Sequence, residues 1–335
     1  MQIDLAYVWA IVILFGIMMY VVMDGFDLGI GILFPWLPEK TDRDVAMNTI
    51  APIWDGNETW LVLGGAGLLA AFPLAYSVIL TALYLPLILM LIGLVFRGVA
   101  FEFRLKAREH RRRWWDLGFS LGSAVAAFTQ GIVLGAFVQG IPVQDGAYAG
   151  TPYGWLTAFS LFTGAALVVA YALLGGTWLV LKTEGELQAK MRALSTRLAW
   201  GLLVVIAIVS LWTPLTEPAI ARRWFSMPNL LWFSPVPLLV VLCGWRLLKT
   251  LSNGGESRPF LLTLALVFLA YSGLGISLWP NIVPPSITVH DAAAPESSLA
   301  FALVGALAII PVILVYTAWS YWVFRGKVTA DAGYH

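Results

Sequence analysis

The chain has 335 residues, of which 60% are hydrophobic and 12% are charged, and its formal net charge is +1. A soluble domain carries about twice that charged fraction, so the composition excludes a water-soluble protein and indicates an integral membrane protein that crosses the bilayer repeatedly. The near-neutral charge gives no support for a nucleic-acid partner, and the single cysteine, Cys243, excludes a disulfide framework or a cysteine metal site.

Nine apolar segments follow one another along the chain, and each is near the ~20 residues that a membrane-spanning helix needs. Pro73 lies where the second segment ends and the third begins, and it favours two helices in a tight hairpin over one continuous long helix. The predicted spans cover about 5–34, 57–73, 75–97, 117–139, 155–181, 198–216, 230–248, 260–280 and 299–324. We therefore predict an all-α integral membrane protein with nine transmembrane helices in a single polytopic domain, residues 1–335.

The lysines and arginines predict how the chain is oriented, because cytoplasmic loops carry an excess of them. With the N-terminus outside, all twenty except Arg222 and Arg223 fall on the inner side. We therefore predict an outer N-terminus and a cytoplasmic C-terminus, which agrees with an odd number of crossings. The basic stretch "FRLKAREHRRRWW" (103–115) is then interpreted as a topology anchor rather than as a site for nucleic acid or anionic lipid.

Asp24 and Asp27 lie within the apolar first segment, where an uncompensated charge is costly. The predicted topology places them in the cytoplasmic half of the first helix or at its inner end, about 60° apart on one face. Gly25, Gly29 and Gly31 thin the helix there and let another backbone or water approach. Two adjacent carboxyl groups in a low dielectric disfavour double ionisation and can share a proton. The alternatives are a solvated helix-end position for Asp27 and a subunit-docking role for Asp24.

A second acid pair with the same spacing opens the second span, Asp55 and Glu58 in "APIWDGNETWLV" (51–62). The alternative for this pair is a helix cap, with Asp55 as the N-cap and Glu58 completing a box-like arrangement. Glu102 lies where the third span emerges on the same side of the membrane. It is either part of the same acid group or an ion-pair partner of Arg97 or Arg104.

Five acids from three consecutive helices are thus predicted at one membrane face: Asp24, Asp27, Asp55, Glu58 and Glu102. Acids that lie one hydrogen bond or one water apart can relay protons. The resulting hypothesis is a proton-uptake path that opens to the cytoplasm. The residues expected to support this path structurally are Trp54, Asn57, Arg97 and Arg104.

Other polar residues of the predicted spans are few. Thr129 and Gln130, in the middle of the fourth span, predict hydrogen bonds between helices. The three histidines, His110, His290 and His335, all lie outside the predicted spans, whereas haem iron in membranes usually needs histidines from facing helices. No Walker A sequence, dinucleotide fingerprint or HExxH motif is present. We therefore predict no catalytic, cofactor-binding or metal-binding residue in this chain.

Seven stretches together resemble a known family. They are "DGFDLGIG" (24–31), "IAPIWDGNETWL" (50–61), "FRGVAFEFR" (96–104), "WDLGFSLGS" (115–123), "VQGIPV" (138–143), "WPNIVPPS" (279–286) and "PVILVYTAWSYWVFRGKV" (311–328). Their sequences and order resemble subunit II of the cytochrome bd-type quinol oxidases over essentially the whole chain. The short outer loop 214–229 and the stretch "TQG" (129–131) are more similar to the cyanide-insensitive branch of this family than to its better-known members.

The resemblance implies a fold of two four-helix bundles plus one peripheral helix. It implies a terminal oxidase of the bacterial cytoplasmic membrane that reduces dioxygen to water with electrons from quinol. A haem-bearing subunit I would hold the haems, b and d-type or b only. This chain would bind no haem, scaffold subunit I and provide a cytoplasmic proton path through Asp55, Asp24 and Asp27. A small single-helix accessory subunit, and a structural quinone or lipid in this chain, are left open.

Two other functions fit the same acids. One is a proton-coupled secondary transporter that acts alone. It is less favoured because the acids cluster at one face and no inverted repeat is evident. The other is a purely structural subunit whose acids only dock the partner.

Overall fold

The computed structural model of the chain describes residues 4–329, except for the side chain of Leu105, and is built almost entirely of helices. In chain order the helices are α1 (Leu5–Leu33), a 3-10 turn (Phe34–Trp36), α2 (Lys40–Asn48), α3 (Trp54–Ala71), α4 (Pro73–Lys106), α5 (Glu109–Gln139), α6 (Ala158–Lys182), α7 (Gly185–Thr216), α8 (Pro218–Phe225), α9 (Asn229–Phe233), α10 (Pro235–Ser252), α11 (Ser257–Leu278), α12 (Val289–Ala292) and α13 (Glu296–Val323). Two short antiparallel hairpins lie between helices. Strands β1 (Val143–Gln144) and β2 (Ala147–Tyr148) lie between α5 and α6, and strands β3 (Asn281–Val283) and β4 (Ile287–Thr288) lie between α11 and α12.

Eight helices in the described part of the chain are long and apolar enough to cross a membrane. They correspond to eight of the nine predicted spans, so the all-α membrane architecture is confirmed. The remaining predicted span is also helical, as α3, but it is not one of the eight. Its first turns contain Asp55, Asn57 and Glu58, which lower the apolar character of an 18-residue helix.

The predicted break between the second and third spans is present. Helix α3 ends at Ala71, Phe72 has non-helical angles of φ −136° and ψ 62°, and Pro73 opens α4. Proline is well tolerated there because the first turn of a helix has no internal partner for its backbone nitrogen. Helix α4 also bends at Leu83, whose φ of −119° and ψ of 19° lie outside the helical region, three residues before Pro86.

Helix α1 lies at the centre of the fold and contacts α3, α5, α6, α11 and α13. Its contact with α6 is close enough to bring backbone against backbone, as the glycines of the sequence predict. A Cβ atom on Gly175 of α6 would lie 2.5 Å from the carbonyl carbon of Gly29 on α1. Leu28 and Ile30 are fully buried on either side of this contact. Glycine at both positions is therefore required by the helix spacing.

One end of the helix assembly collects most of the charged side chains, and we call it the basic end. Helices α1, α4, α6 and α13 end there, whereas α3, α5, α7 and α11 begin there. Ion pairs and hydrogen bonds connect neighbouring elements at this end. Lys40 pairs with Glu109 at 2.6 Å, and the Lys182 ammonium donates to the backbone carbonyl of Phe324, so the end of α13 is fastened to the end of α6.

Replacing Gly175 by valine is expected to destabilise the protein by about 1–3 kcal/mol, because the new side chain overpacks the α1–α6 contact. The measurement is the thermal unfolding midpoint of the purified protein. Gly305→Val is the matched control, since a Cβ atom at Gly305 of α13 meets no atom within 4 Å. Equal midpoints for the two variants would contradict the close contact.

Candidate functional site

A buried arginine joins three helices at the centre of the site. Arg97 of α4 is 1% exposed, and its Nη1 lies 2.6 Å from Oδ1 of Asp24 on α1. Its Nη2 lies 2.8 Å from Oε2 of Glu58 on α3. The ring of Trp54 lies under the guanidinium, with its centroid 5.7 Å from the Arg97 Cζ atom. Two carboxylates and an aromatic face therefore surround one cation.

The second acid of α1 has different partners. Asp27 is fully buried and accepts a hydrogen bond of 2.7 Å at Oδ2 from the Asn57 side-chain amide of α3. The hydroxyl of Tyr321, on α13, donates to the Asn57 side-chain oxygen at 2.9 Å. Asn57 is thus held between α1 and α13 and presents its amide group to Asp27.

Two carboxyl oxygens of this cluster are buried without a hydrogen-bond partner among the described residues. They are Oδ2 of Asp24 and Oδ1 of Asp27. Buried polar atoms in proteins are usually hydrogen-bonded, so these two oxygens are exceptions among the described residues. Asp24 and Glu58 present two carboxyl groups to one guanidinium, and Asp27 is buried near them without contacting it.

A chain of neutral polar side chains reaches the same cluster from the interior. Gln130 of α5 donates its amide hydrogen to the hydroxyl oxygen of Tyr20, on α1, at 2.8 Å. The hydroxyl of Tyr171, on α6, donates to the Gln130 carbonyl oxygen at 2.8 Å. The interhelical hydrogen bonds predicted for Gln130 are confirmed. The prediction for Thr129 is wrong, because its hydroxyl bonds to the carbonyls of Val125 and Ala126 in its own helix.

Arg104 belongs to a separate network at the basic end. It is 1% exposed and pairs with Asp116 of α5 and, at 2.5 Å, with Asp44 of α2. Arg43 pairs with the second oxygen of Asp116 at 2.8 Å. This network joins α2, α4 and α5, and its acids lie in segments outside the predicted spans.

Asp55 and Glu102 are exposed on this chain, unlike the buried acids. The capping alternative for Asp55 is wrong: Ile53 is the N-cap of α3, Asp55 lies inside the first turn, and the cap makes no side-chain hydrogen bond. The ion pair considered between Glu102 and Arg97 or Arg104 is also absent from the described residues, because both arginines are occupied by other acids. Glu58 is intermediate, with 31% of its side chain exposed.

The sequence analysis did not single out Tyr20, Tyr171 or Tyr321. Tyr20 precedes Asp24 by one helical turn, so the spacing alone could have placed it beside that acid. Tyr171 and Tyr321 come from helices far along the chain, and no local pattern distinguishes them from the other tyrosines of apolar segments.

These observations define the class: a multi-pass helical membrane protein with a buried acid–arginine cluster near its basic end. The sequence profile of the family "Cytochrome bd terminal oxidase subunit II" matches residues 5–324. The chain therefore belongs to the cytochrome bd terminal oxidase subunit II family. The resemblance seen in the sequence motifs is confirmed, as is the enzyme class, a subunit of a quinol:oxygen oxidoreductase complex. Membership as subunit II implies a subunit I partner.

Similar proteins cover nearly the whole chain. The cytochrome bd-I ubiquinol oxidase subunit 2 of Escherichia coli K12 is 31% identical over 368 aligned positions, which span 98% of this chain and 96% of that protein. The cytochrome bd ubiquinol oxidase subunit 2 of Bacillus subtilis is 28% identical, with 97% of this chain and 96% of that protein covered. A chain in the structure of the bd oxidase from Geobacillus thermodenitrificans superposes with a TM-score of 0.76 at 19% identity, covering 96% of this chain and 99% of that one, and has the same fold.

The family implies haems in the partner subunit, and the described residues of this chain do not fit a haem of their own. His110 and His290 are exposed, His110 lies in the first turn of α5 and His290 in α12, and His335 lies outside the described residues. Within residues 4–329, no group of three or more histidine, cysteine, aspartate or glutamate side chains is arranged to hold a metal ion.

Replacing Arg97 by methionine is expected to destabilise the complex by about 3–5 kcal/mol, because Asp24 then stays buried without its counter-charge. The thermal unfolding midpoint of the purified complex measures the loss. The double variant Arg97→Met with Asp24→Asn should recover much of it, since both charges are then removed.

Lys40→Met is the matched control for this experiment. Lys40 also loses an ion pair, but its side chain is 55% exposed and that of its partner Glu109 is 82% exposed, so a small effect is expected. A midpoint for Arg97→Met as high as that of Lys40→Met would show that the buried pair does not stabilise the fold.

Proposed function

We propose that this chain is the haem-free subunit of a cytochrome bd-type quinol oxidase of the bacterial cytoplasmic membrane. It scaffolds the haem-bearing subunit I, and it provides a proton-uptake path from the cytoplasm through the carboxyl groups of α1, α3 and α4. The observation that carries this proposal is the gradient of exposure along one ion-paired set. Glu58 is partly exposed, Arg97 pairs with it, and Asp24 on the other side of Arg97 is fully buried.

The proposed orientation places the basic end in the cytoplasm. Lysines and arginines concentrate at that end, and such loops stay on the cytoplasmic side. With α3 counted as a ninth crossing, the N-terminus is outside and the C-terminus is cytoplasmic. The packing supports the two-bundle arrangement of the family: α1, α3, α4 and α5 contact one another, as do α6, α7, α10 and α11, while α13 lies against α1 and α3.

Along the proposed path, Asp55 and Glu102 are the collecting groups at the cytoplasmic surface, because both are exposed. Glu58 is the entrance, and Asp24 and Asp27 are the inner acids. Trp54 and Asn57 fix the positions of Arg97 and Asp27, whereas Arg104 shapes the basic end without contacting the path. If all three carboxyl groups around Arg97 were ionised, two negative charges would be uncompensated. At least one of these groups therefore holds a proton in the resting protein.

The oxidase would contain this chain, subunit I with its b-type and d-type or only b-type haems, and an optional single-helix accessory subunit. Quinol would be oxidised and dioxygen reduced in subunit I. A quinone or lipid in this chain would be structural. The function as a lone transporter is disfavoured because the ionisable cluster lies towards one end of the helices rather than at their midpoint. A purely structural role is the competing function that the experiment must exclude.

Asp55→Asn and Asp27→Asn are each expected to lower quinol oxidase turnover about tenfold, equivalent to ~1.4 kcal/mol of activation free energy, while the haem spectrum is retained. Both changes remove a carboxyl group that could accept a proton and keep the side-chain size. Turnover, proton uptake in liposomes and the reduced-minus-oxidised spectrum are measured on the purified complex.

Asp145→Asn is the matched control, because Asp145 is exposed in the β1–β2 turn with φ of 50°, a conformation that asparagine also adopts. Wild-type turnover and uptake in both test variants would leave only the structural role. Loss of the haem spectrum in a variant would assign that residue to assembly.

A further inference from the structure

The neutral side chains next to Asp24 form a chain of hydrogen bonds with a single direction. Tyr171 donates to Gln130, and Gln130 donates to the oxygen of Tyr20, each at 2.8 Å. Since the Tyr20 oxygen accepts this bond, its own hydrogen points elsewhere. The Tyr20 hydroxyl lies beside the Asp24 carboxyl group, one turn along α1. Every donor in the chain is thus directed towards Asp24.

This series of hydrogen bonds ends inside the protein and does not lead through it. Tyr171 is 1% exposed, and its hydroxyl makes no other side-chain hydrogen bond within the described part of the chain. The amide of Gln130 in the middle is a poor proton carrier. The hydrogen-bonded series therefore orients a donor and does not conduct, and it ends at the Tyr20 hydroxyl beside the Asp24 carboxyl group, whose Oδ2 is not bound by Arg97.

An ionised carboxylate only accepts hydrogen bonds, and those from charged or polarised donors are the strongest. Asp24 accepts a hydrogen bond of 2.6 Å from the Arg97 guanidinium, and the oriented Tyr20 hydroxyl lies beside its carboxyl group. This is the environment of a carboxylate that stays ionised.

Asp27 has the opposite environment although it lies three residues away. Its one hydrogen bond among the described residues comes from the neutral amide of Asn57, and Tyr321 fixes that amide in place. Its other oxygen is buried without a partner in residues 4–329. A carboxyl group that is fully buried without a contacting cation is less costly when it is neutral.

We propose that the two acids of α1 have different roles: Asp24 is the fixed counter-ion of Arg97, oriented by Tyr20, Gln130 and Tyr171, and Asp27 is the acid that takes up and releases the proton. This inference rests on the proposed proton path. It assigns Tyr20, Gln130 and Tyr171 as positioning residues, which act on the path through Asp24.

The titratable and charged groups that face these two acids come from each helix packed on them. They are Tyr20 of α1, Glu58 of α3, Arg97 of α4, Tyr171 of α6 and Tyr321 of α13, while α5 contributes the neutral Gln130. Arg97 is the one cation of this set, and its two contacting carboxylates are those of Asp24 and Glu58.

The test is infrared difference spectroscopy of the purified oxidase complex between an acidic and an alkaline buffer, because a protonated carboxyl group has a C=O stretching band that a carboxylate lacks. Asp27→Asn should abolish one such band, and Asp24→Asn should abolish none. A band lost in Asp24→Asn and kept in Asp27→Asn would overturn the assignment.

Tyr20→Phe and Gln130→Leu provide a second test that leaves both acids and Arg97 in place. Removing the oriented donor should give a new carboxyl band, and adding Asp24→Asn should abolish that band. Thr129→Val is the control, since Thr129 neighbours Gln130 but bonds only within α5. Absence of a new band in both variants would overturn the positioning role.

Proton uptake in liposomes separates this inference from the proposed function. Infrared bands as expected, together with wild-type uptake in Asp27→Asn, would support the division of roles and overturn the proton path. Lower uptake in Asp27→Asn with reversed band assignments would support the path and overturn the division of roles.

Discussion

The ion pair between Arg97 and Asp24 is the constraint on which the site depends. Both side chains are almost completely buried, and removing two charges from water costs several kcal/mol for each ion. Such a pair is retained only where the geometry is good and further polar groups surround it. Glu58, Trp54 and Tyr20 supply those groups from three directions. The relative positions of α1, α3 and α4 are therefore set by the needs of one guanidinium.

Small residues allow the helices to meet those needs. A Cβ atom on Gly122 of α5 would lie 2.8 Å from the backbone nitrogen of Arg97, so α5 supports α4 directly behind the arginine. A Cβ atom on Gly25 would lie 2.9 Å from the ring of Tyr171, between the two acids of α1. The glycines that accompany Asp24 and Asp27 in the sequence thus serve the packing and the polar cluster together, since close helix approach brings short polar side chains within reach.

Hydrophobic length and proline placement predicted the helices well, including the break before Pro73, because both properties are local. The burial of Asp24 was expected from the apolar residues around it, whereas the solvated helix-end position considered for Asp27 is wrong, because Asp27 is fully buried. Helical spacing did not predict that Asp55 and Glu102 point away from the cluster, because it fixes angles within a helix and not the rotation of the helix in the bundle. The partners of Arg104 were missed since Asp44 and Asp116 lie in segments that composition marks only as polar.

The position of Arg97 between two carboxylates also gives the site its electrostatic coupling. Its two terminal nitrogens bind different acids, so a proton on Glu58 leaves the guanidinium with one anionic partner, Asp24, and strengthens that pair. The charge of the partly exposed Glu58 is thereby coupled to that of the fully buried Asp24 through a single side chain. Asp27 lies next to this pair without being part of it, and the proton proposed on Asp27 would remove a negative charge that Arg97 does not compensate. The site thus combines one cation, two acids that bind it and a third buried acid beside them, and this arrangement is the basis of the proposed proton exchange between surface and interior.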